Sequence, residues 1–260
     1  MDQTALLTAF NEQIRQPGGG VGNVEADGKV VRFVGGEVGW AGVLWSDLDP
    51  NGSDAEAVIA AQIERFASLA GPWEWKLYSY DQPADLAERL TRAGFEPEPV
   101  EALMIAEIAD LALDTAPPPG VELRDVVDEA GAAALVSVHD VVFGGDHSAI
   151  GRHVLAALDQ QPLTTVGVVA WHDGAPISAG RLELLPGTDF ASLWGGGTVP
   201  AWRGRGVFRS LVAHRAAIAA AHDYRYLQVD ASPESRPILE RLGFVQLATT
   251  TPFVYPGSGG

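Results

Sequence analysis

The chain of 260 residues has no cysteine. A disulfide, a thiolate metal site and a covalent cysteine intermediate are therefore excluded. A cytoplasmic setting fits this composition. Lysine is nearly as scarce: only Lys29 and Lys76 occur, and arginine supplies the remaining basic side chains. Positive charge is short overall, with 17 basic residues against 34 acidic ones and a net charge of −17. Nucleic acid needs a basic surface, so it is not an expected partner. A cationic or amine-bearing small molecule suits the sign better. No run of eighteen apolar residues occurs, so no membrane span is expected. The N-terminus lacks the basic, apolar and small-residue order of a secretory signal. Met1 to Arg15 instead reads as an amphipathic helix with Leu6, Leu7, Phe10 and Ile14 on one side.

Turn chemistry divides the rest. After a glycine turn at 17–20, Lys29–Val34 and Gly39–Trp45 read as a hairpin through Gly35-Gly36. The cluster from Asp49 to Asp54 precedes a helix ended by Gly71-Pro72. Trp73–Tyr80 is a predicted strand, 84–93 a helix and 100–108 a strand. The proline-rich stretch 114–120 is the best linker. Beyond it the pattern predicts a strand at 121–124 and helices from Asp128 and at 150–158. Strands follow at 164–171, 177–185 and 190–199. The last elements are a helix to about His222, a strand at 224–229, a helix at 233–242 and strands at 245–247 and 249–255. A loose tail follows at 256–260.

The most informative stretch is Leu193 to Leu211. An apolar run ends at Val199, and Arg203-Gly204-Arg205-Gly206 leads into a helix through Val207, Leu211 and Val212. Glycine lets backbone approach a ligand, and the first helical N–H groups have no partner within the helix. The helix dipole is positive there, so this is an anion site by construction. Arg203, Arg205, Arg209 and Arg215 lie in a stretch, 190–222, without Asp or Glu. The two halves also repeat one another. Asp81 leads through Leu90 and Arg92 to Gly94-Phe95, and Asp230 leads through Leu239 and Arg241 to Gly243-Phe244. Such self-similarity is the mark of a duplication.

Arg203-x-x-Gly206-x-Phe208 resembles the pyrophosphate loop of the GNAT acetyltransferases, and the strand–helix–Leu-Gly-Phe end resembles the same family. Phe208 departs from the small residue usual there. Its ring must point away from the nucleotide if the loop is to work. The resemblance covers about 121–255 and implies an α/β fold of two GNAT-like mixed β-sheet units with flanking helices. The N-terminal unit is then partial. The expected domains are 1–113, without a coenzyme site, and 121–255, the acetyltransferase. Where the second unit has arginines, the first has Asp47, Asp49 and Asp54, which repel a pyrophosphate.

The resemblance further implies acetyl-CoA as co-substrate and no metal. Val199 would bond pantetheine, and Arg203, Gly204, Arg205, Gly206, Val207, Phe208 and Arg209 would form the coenzyme loop. The glycine run 195–197 suits either a bulge with close approach or a poorly formed strand. Acetyl transfer to a small-molecule amine by direct attack is the expected reaction. It needs a base, an oxyanion donor and an acid for the thiolate. The family's usual Tyr and Asn positions fall at Leu239 and Ser232. Candidate catalytic groups are Glu183, Asp230 and Ser232, with Asp146, His147 and His139 as further bases. Each has a plainer reading: Glu183 as an ion-paired carboxylate, Asp230 as the structural counterpart of Asp81, and Ser232 as a helix cap. Trp171, Trp194 and Trp202 line either a pocket or the core. The competing functional classes are a coenzyme- or ligand-binding protein without catalysis, and a scaffold whose first unit pairs with another chain, as in a homodimer.

Overall fold

The computed structural model describes residues 2–16, 23–35, 40–69, 71–113 and 116–257. The glycine turn at 17–20, Gly36 of the hairpin, the first two residues of the linker and the last three of the tail lie outside them. The chain packs as two compact units. The first takes the described residues up to Leu103, with Asp230–Pro233 and those from Gln246 onward. The second takes Met104–Val229 and Glu234–Val245. The units are therefore not the two stretches on either side of 114–120.

In the first unit, Asp2 opens α1 (Gln3–Phe10) by accepting the N–H groups of Thr4 and Ala5 at 3.0 and 3.3 Å. This placement is that of a good N-cap. A π-helical turn, Asn11–Arg15, continues it. The strands β1 (Val24–Asp27), β2 (Val30–Phe33) and β3 (Gly42–Ser46) form an antiparallel run. The expected hairpin is β2–β3, while β1 has no counterpart in the sequence reading. Helix α2 (Ala55–Phe66) crosses over to β4 (Trp73–Tyr78), which lies parallel to β3. Then come α3 (Leu86–Arg92), the two-residue β5 (Glu96–Pro97) and the start of β6 (Glu101–Glu107), which from Met104 onward counts with the second unit. Ile59 and Phe66 of α2, Trp73 and Trp75 of β4, Leu90 of α3 and Phe95 bury one core. Two buried ion pairs brace it, Arg15–Asp81 at 2.7 Å and Lys76–Asp230.

In the second unit, β7 (Val121–Asp125) leads to α4 (Glu129–Phe143), whose N-cap Asp128 accepts the Gly131 N–H at 2.8 Å. After α5 (Ser148–Ala157), the strands β8 (Thr165–His172), β9 (Ala175–Leu184) and β10 (Phe190–Thr198) form an antiparallel meander with β7. Helix α6 (Val207–Ala221) then crosses to β11 (Tyr226–Ala231), parallel to β10. Last are α7 (Arg236–Leu242) and β12 (Val245–Tyr255). Where two short strands are expected at the end, one strand of 11 residues forms. From Gln246 onward this strand belongs to the first unit, where it runs antiparallel to β4, from Thr250 opposite Tyr78 to Tyr255 opposite Trp73.

The repeat holds at atomic detail. Gly94 and Gly243 both take positive φ, +98° and +108°, after their helices. The next N–H in each case, of Phe95 and Phe244, donates to the carbonyl of Leu90 or Leu239 at 3.1 Å. Glycine is required there because a side chain at such a φ is strained. Both phenylalanines are buried.

Candidate active site

The arginine loop begins where β10 ends. The Val199 N–H donates to the Ile177 carbonyl at 3.0 Å, and the Val199 carbonyl accepts the Trp202 N–H at 2.9 Å. The Val199 N–H is thus already committed, which removes it as a donor to pantetheine. Arg203 turns back, its Nε donating to the Thr198 carbonyl at 3.0 Å. Gly204 and Gly206 take φ of +73° and +89°, a left-handed backbone that glycine adopts freely. Gly206 is the N-cap of α6, with no side-chain cap and no acidic residue in the first turn. The leading N–H groups, of Val207, Phe208 and Arg209, therefore have no helical acceptor. Arg203, Arg205 and Arg209 are exposed around them. Arg205 lies over the Trp202 ring, 4.8 Å from its centroid, and Trp202 in turn packs on His172. Arg215, the fourth arginine of the stretch, is buried in the core side of α6 and does not join the loop.

Phe208 points inward. A Cβ added to Gly196 would come within 3.0 Å of its ring, so the ring fills space that Gly196 leaves open. The bulky departure is accommodated by a glycine of β10, and the Phe208 N–H stays at the helix start.

The same strand is bulged and splayed. Pairing of β10 with β11 ends at Ser192–Gln228, while β10 continues to Thr198. Its register against β9 shifts between Trp194 and Gly197, and Gly195 takes φ of +57°. Glycines 195–197 are there because helices press from both sides. A Cβ on Gly195 would lie 2.9 Å from His139 and one on Gly197 2.7 Å from Val142, both of α4. Gly196 faces α6 instead. Arg215 of α6 reaches the bulge and donates from Nη1 to the carbonyls of Arg181 and Trp194, at 3.0 and 3.4 Å. Among the described residues no carboxylate pairs with it. Burial, with Arg181 nearby, pushes its pKa down to about 9. The guanidinium thus supplies donors to carbonyls at a point where the ladder is interrupted.

On the α4 side of the bulge lie three rings. His139 is fully buried, and among the described residues neither ring nitrogen makes a hydrogen bond of good geometry. Burial lowers its pKa to about 4, opposed by the adjoining Gly195 backbone and helped by the Arg181 charge. Its ring stands 5.5 Å from that of Phe143 and 5.7 Å from that of His147. Asp140 Oδ1 accepts the His147 N–H and also contacts His147 Nδ1, each at 2.9 Å. Trp194 and Phe143 are both exposed, unlike ordinary core aromatics.

The candidate catalytic residues separate. Glu183 is in the second unit and half-buried. Its carboxylate accepts from Arg181 Nε at 2.8 Å and Thr165 Oγ1 at 2.6 Å, with His153 Nε2 3.5 Å away. Burial alone would raise its pKa, but the hydrogen bonds from His153 and Thr165 and the Arg181 charge outweigh it and hold the carboxyl below its ordinary value. Asp230 and Ser232 belong to the first unit. Asp230 is buried against Lys76, its Oδ1 lacking a partner among the described residues, so the reading of it as a free base at a cleft is corrected. Asp81, its counterpart in the repeat, is likewise buried against Arg15. Ser232 is not the cap of α7: Ser235 takes that position, since the helix starts at Arg236. Leu239 is 1% exposed and packed in the core, so no acid acts from there. The Asp140–His147 contact escaped the sequence reading, which named His147 without a partner. The seven-residue spacing across a glycine break carries no helical signal.

Residues 137–244 match the family model described as the acetyltransferase (GNAT) family. Among curated proteins no relative matches the chain. Solved structures resemble it along nearly its whole length. A GCN5-related N-acetyltransferase from Kribbella flavida has a TM-score of 0.69 at 18% identity, covering 98% of this chain and 95% of its own. One from Sphaerobacter thermophilus has a TM-score of 0.63 at 13% identity, with 98% and 93% covered. A tandem GNAT protein from the clavulanic acid biosynthesis pathway has a TM-score of 0.58 at 12% identity, with 98% and 94% covered. At these identities the likeness is one of fold.

Proposed function

We propose, from the match of residues 137–244 to the acetyltransferase (GNAT) family model, that the chain is an acyl-CoA-dependent N-acyltransferase. The reaction is acetyl transfer to an amine of a small molecule. One observation carries this reading: a helix start without side-chain cap or carboxylate, ringed by Arg203, Arg205 and Arg209, beside a strand whose edge is splayed open. The fit to a pyrophosphate is good. Gly204 and Gly206 leave room for close approach, and the N–H groups of Val207, Phe208 and Arg209 supply unspent donors. Arg205 and Arg209 add charge-assisted bonds. Arg203 shapes the turn through Thr198. Acetyl-CoA supplies an activated acyl thioester, and the acceptor amine takes the acyl group directly, no cysteine being present to carry it.

The coenzyme site belongs to the second unit alone. At the matching position of the first unit, Lys29 pairs with Asp49 and Asp54, and Glu56 sits in the first turn of α2. Acidic groups at that helix start oppose a pyrophosphate. The buried Leu239 favours a second reading, a coenzyme-binding protein without catalysis.

Calorimetric titration of acetyl-CoA into the wild type and Arg205→Glu, at low and moderate salt, tests the proposal. One site per chain, weakened by the substitution and by salt, is the expected result. Two sites would overturn the assignment of the first unit, and no binding at millimolar coenzyme would overturn the proposal. Thiol release with a panel of primary amines separates the catalytic reading from the non-catalytic one.

A further inference from the structure

Acyl transfer to an amine starts from an ammonium, and a group must take its proton. Glu183 is poorly suited, because its partners engage both carboxylate oxygens and lower their basicity. Asp230 is engaged by Lys76. The loop after α4 offers a better arrangement. Asp140 Oδ1 lies 2.9 Å from His147 Nδ1 and accepts the His147 N–H at the same distance, so both the backbone and the ring of His147 are aimed by one carboxylate. A carboxylate at Nδ1 selects the tautomer with its proton there, which leaves the Nε2 lone pair free. His147 is partly exposed, unlike His139, and so can meet an acceptor. Its ring packs on His139 and Phe143, which are themselves the residues against Gly195 and Gly197 of the bulge. The dyad is thus held one ring away from the interrupted part of β10.

Resting on the acyltransferase reading above, we propose that His147 is the general base that deprotonates the acceptor ammonium, with Asp140 as its positioning residue. The exposed rings of Phe143 and Trp194 favour an acceptor whose amine is borne on an apolar or aromatic group. In the step, His147 Nε2 takes one proton from the ammonium. The freed nitrogen lone pair forms the N–C bond to the acyl carbon. The C–S bond breaks, the thiolate leaves with its electron pair, and it takes the surplus proton from the new amide nitrogen. The imidazolium returns its proton to water. The groups facing His147 are Asp140 and His139 of α4 and Asp146 beside it, with Arg152 of α5 acting on Asp146.

Two measurements on the full chain test this. The first is NMR with acetyl-CoA as the probe, following the amides of 204–209 and the imidazole nitrogens of His147 together. The expected result is a protonated Nδ1 in the neutral ring, a preference lost in Asp140→Ala, and a shift of His147 when the loop amides shift. A neutral ring protonated at Nε2, or loop shifts without a His147 response, would overturn the base while leaving the acyltransferase reading standing. Silent loop amides would overturn that reading itself. The second is thiol release with primary amines. His147→Gln is expected to lower kcat about 100-fold or more, with the KM for acetyl-CoA nearly unchanged. Asp140→Ala is expected to lower kcat by less than His147→Gln does, with the Nδ1-protonated tautomer no longer favoured. An active enzyme whose kcat is untouched by His147→Gln would refute the assignment.

Discussion

At the scale of single residues, the bulge of β10 is a problem of space solved by leaving side chains out. Gly195 has two reasons to be glycine, a φ of +57° and a Cβ position 2.9 Å from His139. Gly204 has only the first, because nothing lies within 4 Å of its Cβ position. The two substitutions to alanine separate strain from crowding. Gly204→Ala should cost about 1–2 kcal/mol, and Gly195→Ala more, by a further ~1–3 kcal/mol for overpacking. Urea unfolding checks the difference, and equal losses would mean that α4 gives way at no cost. Phe208 shows the complementary case. A large side chain stands where the resembled loop has a small one, and Gly196 opposite provides its room.

At the scale of elements, much was legible because local chemistry settles it. The arginine loop announced itself through charge and glycine, and the Gly-Phe repeats through their equal spacing. The helix and strand order followed from periodicity and turn residues. What escaped was set by distant partners. Strand β1 is short and half-exposed, with little apolar pattern of its own. Lys76 and Asp230 meet across 154 positions, and nothing local to either residue marks the pairing. That pair ties β4 to the 230–233 segment inside the first unit. Removing one member strands the other in a buried setting. Lys76→Met should therefore cost ~3–5 kcal/mol, and adding Asp230→Leu should recover much of it. A double mutant no better than the single would show that packing, rather than the stranded charge, sets the loss.

At the scale of the whole molecule, the two units carry opposite responses to pH. Glu101 in the first unit is held up to about 7 by burial and by the charges of Asp230, Glu74 and Glu98, against the pull of Lys76. Its native form binds a proton that the unfolded chain has released, so stability is lost as pH rises from about 4.5 to 7. His139 in the second unit is held down to about 4, so stability is lost as pH falls from 6.5 toward 4. Relative to wild type, Glu101→Gln should gain stability at pH 7 over its value at pH 4.5. His139→Gln should gain at pH 4.5 over its value at pH 7. Urea midpoints at the two pH values decide each case, and a difference that does not change with pH would refute the corresponding shift.

The pairing of β12 with β4 has one more consequence, for the order in which the protein can be made. A chain emerging from the ribosome presents its N-terminal half first, and domains commonly fold as they appear. Here β4 must wait, because its antiparallel partner follows the whole second unit in the chain. The β12-facing edge of β4 is unpaired while the second unit is made, a period in which a β edge invites association with other chains. Completion of the first unit therefore comes after the second has been made, and a gene cut between the two halves would yield no self-sufficient N-terminal product.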